Sequence, residues 1–147
     1  SLAMPQLDIE SACADAVQKG LDARFHQHAS SSIGYVADDI TLELGLFSVD
    51  EPIDAAGIYD NIVAECGEPI HDPAYDVTYT IRPLDSEYDG MRVKVTDGEG
   101  HAREAIILQA EVAGHWVLAG AHELPEEQVT EIVRAQVAKL EAGLPGN

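Results

Sequence analysis

The residues that could do chemistry in this chain are its histidines and carboxylates: 6 His stand among 27 Asp and Glu, against 8 Lys and Arg. His71, Asp72 and Asp76 fall together in a Pro-bounded stretch, and an imidazole beside carboxylates can hold a divalent cation or act as a general base. No second His or Cys at ligand spacing supports a metal there, which favours a solvated acidic loop. His26 and His28, close together at a helix end, point in divergent directions and suit the C-terminal dipole better than an ion. His115 and His122 flank one strand on opposite faces, too far apart to share a ligand.

Asp85, Glu87 and Asp89, followed by Gly90, match the opening of a calcium loop, where alternate oxygens and a glycine turn are what a hard cation requires. The final ligand position holds Thr96 instead of a bidentate Glu, and the residues after Gly90 alternate as a strand. An acidic hairpin turn is therefore the preferred reading, and no metal or other cofactor is expected. Nucleophile elbows, Walker loops and dinucleotide fingerprints are missing from the sequence as well. An enzyme is thus the less favoured outcome. The alternative is a small-molecule pocket between sheet and helix, assembled from His71, Asp76, Tyr79 and Trp116.

Those residues need elements to hold them. Apolar residues recur at helical spacing from Ile9 to Phe25, with Asp8 as a cap, and the serine-rich residues 27–32 then read as a loop. Residues 40–47 alternate with a period of two, the clearest strand in the chain. Asp50, Glu51 and Pro52 open a helix buried through Ala55, Ile58, Tyr59, Ile62 and Cys66 and closed by Gly67. Residues 75–81 and 91–95 alternate as a hairpin joined by an acidic turn. Residues 101–113 carry the Ala, Glu, Gln and Leu of a helix with Gly114 as its C-terminal cap, although Ile106, Ile107 and Leu108 would also suit a buried strand. His115 to His122 suits an interior strand. Pro125, Glu126 and Glu127 open a last helix with a core stripe of Val129, Ile132, Val133, Gln136, Val137 and Leu140.

This pattern predicts one α+β domain over residues 1–147, an antiparallel sheet of four to five strands with helices on one face. Its core over 40–122 would be ferredoxin-like βαββαβ, with a further helix at each end. If 101–113 is a strand, the chain becomes a helix-flanked antiparallel meander. Its last hairpin, turning at Gly114, His115 and Trp116, then resembles that of NTF2-like domains, with a cystatin-like arrangement in the same alternative, although the order of the helices departs from the NTF2-like pattern. Ser1, Leu2 and Ala3 ahead of Met4 read as an expression scar.

A chain of 147 residues, 46% of them apolar, can bury a core without a staple. Its net charge of −19 repels polyanions, and it has no basic run with which to bind them, so nucleic acid is not an expected partner. No stretch nears the roughly 20 apolar residues of a membrane span. Cys13 and Cys66 lie on apolar helix faces and read as buried free thiols of a cytoplasmic protein, with a disulfide between them as the alternative. The functional expectation is a non-catalytic binding or protein-interaction domain, homodimeric through its strands or terminal helices. Its sharper form is an inhibitor-type or immunity-type contact with a basic protein drawn in by the acidic field.

Overall fold

The computed structural model describes residues 11–25, 27–49, 56–112 and 114–143. In chain order they form α1 (Ala12–Phe25), β1 (Gln27–Ala37), β2 (Ile40–Val49), α2 (Ile58–Glu65), β3 (Ile70–Asp72), β4 (Val77–Arg82), β5 (Asp89–Asp97), β6 (Ala102–Val112), β7 (His115–His122) and α3 (Glu126–Gly143). The strands make one antiparallel sheet in the order β1-β2-β7-β6-β5-β4-β3. Strands β3 to β7 are thus a continuous meander, and the β1–β2 hairpin is added beside β7. The α+β class holds, but among the described residues the sheet has seven strands, and their order does not support the ferredoxin-like core.

The decisive correction concerns residues 101–113, where a strand stands in place of the expected helix. β6 pairs with β5 from Asp89↔Gln109 to Thr96↔Ala102 and with β7 from Ala105↔His122 to Val112↔His115. Six consecutive residues, Ala105 to Ala110, are buried. Such a run has no alternation to betray a strand, because both faces of the central sheet are covered and burial overrides helix propensity. Gly114, at φ 82, is left-handed, a conformation that ends a helix or closes a hairpin equally well; here it sits in the β6–β7 turn.

Helices occupy both faces of the sheet, which corrects the one-sided cover expected. Along β6, Ile106, Leu108, Ala110 and Val112 join Val117, Ala119 and Ala121 of β7 beneath Val129 and Val133 of α3. Ile107 points the other way, with Met91 of β5 and Ile81 of β4, into a second cluster with Ile58, Tyr59 and Ile62 of α2 and Ala16 and Val17 of α1. α1 packs mainly on α2, and a disulfide joins Cys13 to Cys66 across their interface with a Cα–Cα distance of 4.8 Å. The reading of both cysteines as free thiols is replaced by the bridge.

Local chemistry accounts for the remaining ends. Ser11 caps α1, its Oγ accepting the Ala14 N–H at 3.0 Å. The expected cap Asp8 lies outside the described residues, as do His26, Pro52 and Ala55. Residues 27–32, expected as a loop, are strand: β1 pairs with β2 from Gln27↔Val49 to Ala37↔Ile40, with an irregularity between Ala29 and Ser31. A two-residue turn makes that hairpin, Asp38 taking the left-handed φ of 54 that Asp tolerates better than most residues. Gly90 is required by close approach: a Cβ there would stand 2.6 Å from the Ile107 carbonyl oxygen and would collide with the Leu108 side chain. Among the described residues no helix is long and apolar enough to cross a membrane.

Candidate functional site

The four residues singled out for a pocket do not converge. His71 lies on β3 opposite Thr78, and its Nε2 is 3.1 Å from Asp76 Oδ1, both side chains being exposed. Tyr79 pairs with Ile70, so it points to the opposite face of the same hairpin from His71. Burial first, and then the charge of Asp72, pushes its phenol pKa up, which keeps it a neutral hydroxyl. Trp116 belongs to β7, separated from β4 by β5 and β6, where it packs half-buried against the α1–α2 cluster opposite Phe47 and Glu111. Only His71 and Asp76 are brought together, as an exposed pair at a turn.

The acidic turn disperses its carboxylates in the same way. The Asp85 N–H donates to Glu126 at the start of α3, and Glu126 Oε2 also holds Arg92 Nη2 at 2.7 Å. Glu87 accepts from Arg134 of α3 at 2.6 Å. Asp89 turns inward, its Oδ1 accepting the Asp60 N–H at 2.7 Å and its Oδ2 the Tyr59 N–H at 3.3 Å and Gln109 Nε2 at 2.6 Å. Asp89 is thus the cap of α2. The N-cap position itself is Gly57, which has no side chain to offer. Burial raises the Asp89 carboxyl pKa against the pull of these donors. Among the described residues no group of three His, Cys, Asp or Glu side chains is placed to hold a metal ion.

Two further histidines are structural oddities and do not form a site. His115 and His122 each bury an Nδ1 that has no hydrogen-bond partner among the described residues. They stand on opposite faces of β7. The His122 pKa is lowered, by burial first and by Arg103 second, so its ring stays neutral.

The feature that sequence reasoning missed is at the sheet's outer edge. Of the large apolar side chains of the β1–β2 hairpin, Ile33, Tyr35, Val36 and Ile40 are exposed, from 39% at Ile40 to 79% at Val36. Ile33 pairs with Leu44 and Tyr35 with Leu42, so by alternation they extend the apolar α3-side face outward. α3 itself packs on β6 and β7 and leaves that extension open. A signal was present in the sequence: residues 27–37 hold no Asp, Glu, Lys or Arg in a chain that is 24% charged.

No family model matches the chain, and no curated protein matches it.

Proposed function

We propose that this chain is a non-catalytic interaction domain whose working surface is the outer end of the β1–β2 hairpin. The observation that carries this reading is the exposure of Ile33, Tyr35 and Ile40 on one face of the hairpin, with Val36 exposed on the other, in a chain of net charge −19. Contiguous apolar groups left open on a soluble domain mark contact surfaces. The scatter of His71, Asp76, Tyr79 and Trp116 gives the small-molecule pocket no comparable support. Carboxylates are spread over helices, turns and strand ends, which gives a dedicated acidic interface for a basic partner no support. The Cys13–Cys66 bridge supports an oxidising compartment as the working environment, in place of the cytoplasm first expected.

A photo-reactive residue tests the surface directly. Placed at Val36 and irradiated in an extract of the native cells, it should yield a covalent adduct with a protein. The same group at exposed Ala135 on α3 should not. Equal labelling, or none at either position, would remove the hairpin as the working surface.

A further inference from the structure

We propose that the partner at this surface is a second copy of the chain, with β1 of each copy adding antiparallel to the other about a two-fold axis at Gly34. The inference rests on the interaction reading above and names its occupant. Among the described residues β1 is the outermost strand of the sheet, so one row of its backbone N–H and C=O groups faces away from β2. An eleven-residue edge of this kind, about 35 Å long, is a template for another strand.

Charge selects a second copy as that strand. Two chains of −19 repel wherever their carboxylates meet, so self-association is confined to a surface without them. Residues 32–37, exposed and without Asp, Glu, Lys or Arg, are such a surface. A basic partner would gain nothing from it and would dock where the acids are. The two-fold arrangement also suits the side chains, because a centre at Gly34 sets Ile33 opposite Tyr35 of the second copy on the α3-side face. A β-branched residue facing an aromatic one is a favourable cross-strand pair, and the axis makes it twice.

The same register disposes of the nearest acids. Asp38 and Asp39 form the hairpin tip, and an antiparallel pairing sends the two tips to opposite ends of the joint. Each Asp38 then stands about 27 Å from its counterpart, well beyond the screening length of roughly 8 Å at physiological salt. A parallel pairing would bring the tips together. Nothing in the hairpin obstructs the centre, since the nearest atom to a Cβ at Gly34 is the Leu42 carbonyl oxygen at 3.8 Å.

Sedimentation velocity of the full chain with its disulfide intact tests the proposal. The expected result is a species of twice 15.8 kDa whose dissociation constant falls roughly tenfold between about 20 and about 500 mM NaCl, because salt screens the repulsion between like-charged copies. Ile33→Glu combined with Tyr35→Glu should sediment as one chain and still unfold cooperatively, both positions being exposed, with its melting temperature lowered only by the lost stabilisation of dimerisation. Gly34→Cys should form a covalent dimer on oxidation while Ala135→Cys does not, a readout that stands even if the double variant folds poorly. A single-chain mass at both salts overturns the proposal. So does a dimer untouched by the paired Glu substitutions, or a dimer that Gly34→Cys fails to trap. A monomer that still crosslinks through Val36 to a different polypeptide removes self-pairing and leaves the interaction surface standing; a monomer with no adduct at Val36 removes both.

Discussion

The two edges of the sheet are built on opposite plans. At one side β3 is three residues long, set between Pro69 and Pro73, and it carries His71 and Asp72 with Asp76 hydrogen-bonded beside them. A short strand bounded by prolines and edged with polar groups is how a sheet discourages further pairing. At the other side β1 runs for eleven residues with no proline and no Asp, Glu, Lys or Arg. One chain thus blunts one edge and leaves the other open, which shows that its acidity is not spread indifferently. The cover over the sheet differs in parallel. The β4–β5 side lies under α2, to which α1 is joined covalently, whereas the outer part of β1–β2 lies under no described helix.

The largest test of this contrast breaks the bridge that holds α1 to α2. Cys13 and Cys66 are 53 positions apart, and opening a loop of that size removes about 4 kcal/mol of chain-entropy stabilisation. For a domain of this size the melting temperature should fall by on the order of 10 °C in reductant. Hydrogen exchange should rise first in α1 and α2, with β1 unchanged. Identical melting before and after reduction, with free thiols confirmed by mass, would mean the helical cover does not depend on the bond.

A smaller effect is expected at Asp89, the carboxylate that ties the start of α2 to β5. Asp89→Ala removes the acceptor on the Tyr59 and Asp60 N–H groups and should cost about 1–2 kcal/mol by denaturant unfolding. Asp89→Asn keeps an acceptor and loses the ionisation. Because burial holds the folded carboxyl above its ordinary pKa of 3.8, its contribution to stability is complete below that value and is lost as pH rises through the folded pKa. The Asn variant should therefore gain on the parent between pH 4 and pH 7. A parent whose stability rises over that interval relative to Asn would show the carboxylate to be favoured by its site.

How much of this could be read from residues alone follows from where periodicity survives. β2, β4, β5 and α3 announce themselves because one face is apolar and the other polar, and α2 was found through Ile58, Ile62 and Cys66. β6 was obscured because Ala105 to Ala110 is buried on both faces, so the period of two vanished. β1 was obscured because Ser30, Ser31 and Ser32 carry the composition of a loop, while the strand is made by its pairing with β2. The loss of one helix and the gain of strands undid the ferredoxin-like plan. The role of Asp89 was beyond reach for a different reason: a cap supplied from 30 positions away leaves no local signature. The hairpin surface was legible only as a silence, the absence of charge from residues 27–37.

The smallest expected effect lies in the β5–β6 turn, where a blunted end of the meander can be loosened without touching the core. Asp97 Oδ1 accepts the N–H groups of Glu99 and His101, each at 2.9 Å, and Oδ2 lies 3.2 Å from His101 Nδ1. The His101 N–H, first among these donors, pulls the Asp97 carboxyl below its ordinary pKa. A depressed carboxyl contributes above pH 3.8, and the contribution is lost as pH falls through the folded value. Protection of the Glu99 and His101 amides relative to their intrinsic exchange rates should accordingly fall in acid, and Asp97→Asn should show the lowered protection already at neutral pH. The tip at Asp38 and Asp39 is held by the closing pair Ala37↔Ile40 of the hairpin, so its exchange should follow dilution of the β1 pairing instead of pH. Protection at Ile33 and Tyr35 that stayed constant from micromolar to millimolar protein, while the β5–β6 turn responded to acid, would leave the acidic turn as described and deny β1 its second copy.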